Sequence, residues 1–228
     1  MFYRKDSFFL ELCQAFPQKL KEDANFVSLE LPPLAYPCAE LTHRIRRKEF
    51  IPGIAWGDKN QVFLMEGEEI ILPYRCYFLP FSQEELERLT ECQKKLYACI
   101  CLLHPDGYFR EKFLRYLLGQ SLEIWMLPFL LKLSGEYVKE ILQVIYEARK
   151  DRDNTIFQKF SKENPQQLQH NYSRMTSYWN EYYRFEITHP CIRNGREGIR
   201  TDLRDYVGYA LFRSCWGYSP RRKGERKI

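Results

Sequence analysis

Residues 82–150 read SQEELERLTECQKKLYACICLLHPDGYFREKFLRYLLGQSLEIWMLPFLLKLSGEYVKEILQVIYEARK, and their spacing decides the fold class. Ser82 and Glu85 have the spacing of a capping box, in which each side chain satisfies the other's free backbone N–H. Leu86, Leu89, Leu96, Ile100 and Leu103 then recur on one helical face, so a helix with a buried stripe is predicted from Ser82 onward. His104-Pro105-Asp106-Gly107 is a turn, and residues 108–118 form a short helix closed by Gly119. Two more helices follow at 122–133 and 137–150, separated by Ser134-Gly135. Four helices joined by links this short must pack antiparallel to their neighbours.

Working outward, the N-terminal segment mixes element types. A helix is expected from Ser7 to Phe16, with Phe9, Leu12, Cys13 and Phe16 on one face and Pro17 as its stop. Pro32, Pro33 and Pro37 predict an extended, irregular path over 25–38. Two β-prone runs, 61–65 and 69–72, flank Glu66-Gly67-Glu68 as a hairpin, and 74–79 is a candidate third strand. Such a small sheet must lean on the helices. The segments are 1–80, 81–150 and 151–228, read as one cooperative unit.

The composition excludes several classes. With 16 Phe, 16 Tyr and 4 Trp in 228 residues, the chain has the bulky apolar side chains that disordered proteins lack. At this length roughly 70% of the unfolded chain's surface is buried on folding, so disulfides are not needed. Eight cysteines are too sparse for a stapled secreted scaffold. Cys92, Cys99, Cys101 and His104 were tested as a metal set. At about 100° per residue Cys101 points away from Cys92 and Cys99, and the chain contains no Cys-x-x-Cys pair, so neither a metal nor another cofactor is expected. Residues 1–10 lack the apolar core of a secretory signal. The most apolar run, 122–133, is short and carries Glu123, Pro128 and Lys132. A cytoplasmic protein that does not enter the membrane is expected.

A faint repeat runs through the helical segment. Tyr108-Phe109-Arg110-Glu111 and Tyr137-Val138-Lys139-Glu140 lie 29 residues apart, each opening a helix after a glycine-containing turn and a leucine-rich helix. The pattern resembles HEAT-type helical repeats, and Leu127-Pro128-Phe129-Leu130-Leu131-Lys132-Leu133 is similar to the first helix of such a unit. The resemblance covers about residues 82–150. It implies stacked helix pairs with a shared core, hence a mainly α fold: a HEAT-like antiparallel helix bundle with a small N-terminal β-hairpin. The alternative, an ordinary helical domain with two similar hairpins, stays open.

The C-terminal third carries the candidate contacts. Tyr172, Met175, Trp179 and Tyr182 share a helical face, read as core in preference to a nucleobase platform. Tyr178 and Tyr183 lie off that stripe and are the candidates for exposed contact. Arg193, Arg196, Arg200 and Arg204, spaced by three and four, line one face if a helix spans them, with Ile199, Leu203, Tyr206, Val207, Ala210 and Leu211 opposite. That row is either a solvated or internally paired face or a contact for an acidic partner. Arg221, Arg222 and Lys223 add a basic run. Residues 186–228 hold ten Lys and Arg against five Asp and Glu, which accounts for the whole formal charge of +5. Gly195-Arg196-Glu197-Gly198 has the G-x-x-G form of KH loops, but Glu197 opposes phosphate.

No nucleophile elbow, Walker loop, dinucleotide fingerprint or H-E-x-x-H occurs, and the four histidines are dispersed. The sequence therefore points to a non-enzymatic interaction or adaptor protein that binds a protein partner through a helical surface. The first alternative is nucleic-acid binding through the basic end. The second is an enzyme without a motif, such as a HEAT-type DNA glycosylase.

Overall fold

Buried spacing of three and four residues builds the first helix of the protein. The computed structural model describes residues 10–32, 54–55, 60–186 and 199–218. Leu10–Ala15 is a 3-10 helix, not the α-helix expected from Ser7, and a second 3-10 turn follows at Gln18–Leu20. α1 (Lys21–Glu30) then occupies part of the segment read as extended. It buries Ala24, Val27 and Ser28, and Leu31 is buried just beyond it, while Glu22 and Asp23 suit its N-terminal turn. Pro32 follows the helix, and 33–38, with the rest of the run read as extended, lie outside the described residues.

The hairpin forms where alternation predicts it. β1 (Ile54–Ala55) precedes β2 (Gln61–Met65) and β3 (Glu68–Leu72), and β2 and β3 pair antiparallel with Phe63 opposite Ile70. Phe63, Met65, Ile70 and Leu72 face the core, while Val62 and Leu64 face outward. Glu66 (φ 51°) and Gly67 (φ 88°) are both left-handed, as the tight two-residue turn requires. The 74–79 run does not extend this sheet: β4 (Arg75–Cys76) pairs instead with β1.

The helix expected from Ser82 is two helices, α2 (Gln83–Arg88) and α3 (Glu91–Cys101). Ser82 and Glu85 make the capping box, and Thr90 with Gln93 makes a second one that restarts the chain at a new angle. α4 (Gly107–Leu118) is capped by Asp106, which accepts from the N–H groups of Tyr108 and Phe109. The buried Arg110 guanidinium donates to the His104 and Pro105 carbonyls (2.8 and 2.9 Å) and fixes the α3–α4 turn. Cys99 and Cys101 are wholly buried, and burial pushes both thiols well above their usual range.

A 3-10 turn, Ile124–Met126, leads into α5 (Leu127–Ser134), with Pro128 in its first turn, and α6 (Lys139–Arg149) follows. α7 (Thr155–Glu163), α8 (Pro165–Tyr178) and, near the C-terminus, α9 (Val207–Ser214) complete the helices. The described residues are thus mainly helical. They divide into two compact units, Met1–Trp125 and Met126–Ile228, and the division falls between the two helical hairpins of 82–150. Within the first unit α3 packs on α4 and on α1. Within the second, α5 packs on α6 and α8, and α9 packs on α6, α8 and α5. Trp216 anchors that second core: its indole N–H donates to the Ser134 hydroxyl (3.1 Å), which in turn donates to the Leu130 carbonyl.

No helix among the described residues is long and apolar enough to cross a membrane. No group of three or more His, Cys, Asp or Glu side chains among them is placed to hold a metal ion.

Gly135 tests the packing of α5 on α8. A Cβ there would lie 2.6 Å from Asn171 Oδ1 and 3.1 Å from its Cα, whereas one at Gly119 meets only carbonyls at 3.4 Å or beyond. Gly135→Ala is expected to destabilise the protein by about 1–3 kcal/mol, as overpacking does, and Gly119→Ala to leave it nearly unchanged. Urea unfolding of the two variants checks this.

Candidate functional site

A helix that changes its winding creates the site. After Tyr178 the chain continues as a π-helical turn, Trp179–Tyr183. This wider turn adds a residue to the cycle, so side chains beyond it leave the stripe that the α-helix had set. Met175 stays fully buried, but Tyr182, assigned to the same stripe by its spacing, is 60% exposed. The stripe therefore ends inside the π turn, and Tyr182 belongs with the exposed rings.

The chain beyond the turn is not the helix that the arginine spacing suggested. β5 (Phe185–Glu186) pairs antiparallel with β6 (Ile199–Arg200). Thr201 extends the bridge, donating its N–H to the Arg184 carbonyl and its hydroxyl to the Tyr183 carbonyl (2.9 Å). A 3-10 turn, Leu203–Asp205, is capped by Asp202, and Tyr206 leads into α9. Ile199 and Arg200 are thus in a strand, and the continuous arginine face does not form. Gly208 admits this arrangement, since a Cβ there would lie 2.8 Å from both Met175 and the Tyr206 ring.

Between these elements lies a cleft of about 440 Å³. Its aromatic walls are Trp179, Tyr182, Tyr183, Phe185 and Tyr206, and its polar walls are Lys139, Thr201, Asp202 and Asp205. Tyr183 holds the parts together. Its hydroxyl donates to the Tyr137 carbonyl (2.7 Å) and accepts from the Lys139 N–H (3.4 Å), tying the π turn to the start of α6. Its ring stacks on Tyr206 at 5.3 Å, and the Lys139 ammonium sits 6.0 Å from its centre. Beside the cleft, Tyr137 packs against Tyr178 and Tyr182 at 5.8 and 6.2 Å. Tyr137 and Phe185 are half exposed.

Of the residues that the sequence singled out, Tyr183 lines the cleft and Tyr178 packs beside it on Tyr137 and Tyr182, and both are part-buried where exposure was expected. Arg204 lies at the rim, forked onto the Asp202 carboxylate with its closest contact at 2.6 Å. That pairing opposes the expectation that Asp202 lies elsewhere, and it raises the guanidinium's pKa. The side chain of Arg200 and all of Arg193, Arg196, Arg221, Arg222 and Lys223 lie outside the described residues. Sequence reasoning did not single out Tyr137, Tyr182 and Phe185 as exposed rings. Tyr137 carried a usable signal: its Tyr-x-x-Glu run repeats that of Tyr108, which is 88% exposed.

Burial pushes the Tyr206 hydroxyl far above the ordinary tyrosine range, reinforced by Tyr183 and Glu140. That hydroxyl is buried without a hydrogen-bond partner. Tyr206→Phe is therefore expected to be neutral or stabilising by up to about 1 kcal/mol at pH 7. Tyr183→Phe, which strips two backbone groups of their partner, should destabilise by about 1 kcal/mol. Because the folded state holds Tyr206 protonated above the unfolded value of about 10, its contribution is full below that pH and is lost as pH rises past it. Urea unfolding at pH 7, 9 and 11 should show stability falling at the alkaline end, and falling less in Tyr206→Phe. Comparison with protein-family models, curated proteins and solved structures finds no match to this chain.

Proposed function

We propose that this chain is a non-enzymatic macromolecular interaction protein that engages a protein partner through a helical surface. The observation that carries this is the cluster of exposed aromatic side chains in the second unit, Tyr137, Tyr182 and Phe185, each at least half exposed and set beside a cleft. Large amphipathic rings in solvent, rimmed by polar groups, are what interaction surfaces present. On this reading the two hairpins, α3–α4 and α5–α6, act as HEAT-like helix pairs, and an exposed tyrosine stands at or just before each second helix, Tyr108 in α4 and Tyr137 ahead of α6. Rings held by their neighbours lose little freedom on binding, which favours them as anchors.

A second reading, nucleic-acid binding, draws support from the net charge of +5, all of it supplied by residues 186–228. It uses a different surface, because Asp202 and Asp205 stand in the walls of the aromatic cleft and repel phosphate.

The two readings separate in an affinity capture from lysate with wild type and a Tyr137→Ser/Tyr182→Ser double variant. Loss of the captured protein by about tenfold or more in the variant is expected, as for anchor residues. Equal capture by both contradicts the proposal. Capture abolished by nuclease and weakened steeply by salt supports the second reading.

A further inference from the structure

The aromatic cleft carries a charge pattern that names the chemistry of its occupant. Among the described residues its walls hold the aromatic side chains of Trp179, Tyr182 and Phe185 together with two carboxylates, Asp202 and Asp205, against one ammonium, that of Lys139. Ring faces are negative and attract cations that shed water easily. The site already displays this preference twice within its own chain: Lys139 lies over Tyr183 at 6.0 Å, and Arg184 over Phe185 at 5.5 Å. Asp202 is engaged by Arg204, but Asp205 is exposed and forms no ion pair among the described residues. The volume of about 440 Å³ is that of a small-ligand site, large enough for an alkylammonium group on its chain.

We propose that this cleft receives an alkylated ammonium group, presented as a methylated lysine side chain of a peptide partner. The inference rests on the protein-binding reading above and names the chemistry that reading leaves open. A primary ammonium keeps a tight hydration shell and needs hydrogen-bond acceptors for each N–H. A trimethylated one needs only ring faces and a diffuse negative field, which is what Trp179, Tyr182 and Asp205 offer. Among the described lining residues, Lys139 is the one that opposes the ligand. Charge changes on the two sides of the cleft should therefore act with opposite signs.

The test titrates the full chain with tetramethylammonium chloride, with sodium chloride and neutral tert-butanol as controls, and follows tryptophan emission assigned through Trp179→Phe. A saturable response to tetramethylammonium alone is expected. Asp205→Asn should weaken it by about two- to fivefold, and Lys139→Gln should strengthen it by a similar factor. A response matched by tert-butanol, no saturation, or weakening by Lys139→Gln overturns the proposal. Both substitutions lie on exposed side chains, so folding is retained and the comparison stays informative. A peptide bearing one trimethyl-lysine should bind more tightly than the same peptide with unmodified lysine and more tightly than choline. Choline binding as well as the peptide overturns the peptide source. If tetramethylammonium fails while the Tyr137→Ser/Tyr182→Ser variant still loses its captured partner, the cation is refuted and the binding face stands.

Discussion

The candidate site depends on one hydroxyl. Tyr183 donates to the Tyr137 carbonyl and accepts from the Lys139 N–H, so a π turn at the end of one helix is fastened to the beginning of another. The Lys139 N–H opens α6, where it has no intrahelical partner, and the Tyr137 carbonyl lies two residues ahead of it. The bond therefore satisfies a helix terminus and positions an aromatic cluster at once. Around it, the Tyr206 ring is stacked and buried, Thr201 pins the Tyr183 carbonyl, and Tyr137 and Tyr182 are left facing solvent.

The second unit keeps apart what it buries and what it shows. Its core is anchored by Trp216, whose indole finds the Ser134 hydroxyl inside α5, and by Phe157, Phe160 and Phe212, all wholly buried. These aromatics have their polar atoms satisfied or have none. Tyr137 and Tyr182 belong to a different population, with rings packed on each other at 6.2 Å yet at least half exposed. Asp202 and Asp205 lie in the same cleft as Tyr182, so these exposed rings have carboxylates beside them.

The central helices were legible in sequence because their signals are local. Capping boxes, leucine stripes and glycine or proline stops found α4, α5 and α6 and the β2–β3 hairpin close to where they lie. The same chemistry was present and passed over at Thr90 and Gln93, whose capping box splits one expected helix into two. α1 was hidden by the prolines that follow it, although Ala24, Val27, Ser28 and Leu31 keep helical spacing. The misreading of 199–204 has a different cause. A two-residue strand at Ile199–Arg200 is specified by its pairing with Phe185–Glu186, a contact no local pattern announces. The site shares that limit: a π turn moves Tyr182 off its stripe through a change in hydrogen-bond spacing, and composition cannot show it. What sequence did identify was the aromatic density of 172–185, where Tyr183 lines the cleft and Tyr178 packs beside it, both part-buried where exposure was expected.

The two proposed readings place a macromolecule either on the basic C-terminal segment or at the aromatic cleft, and the two are chemically distinct. Hydroxyl-radical footprinting of the full chain, free and with its captured partner, tells them apart most directly. Protection of Tyr137, Tyr178, Tyr182 and Phe185 in the complex is the predicted result. Unchanged reactivity at those four rings, with protection confined to residues 193–223, would contradict the account.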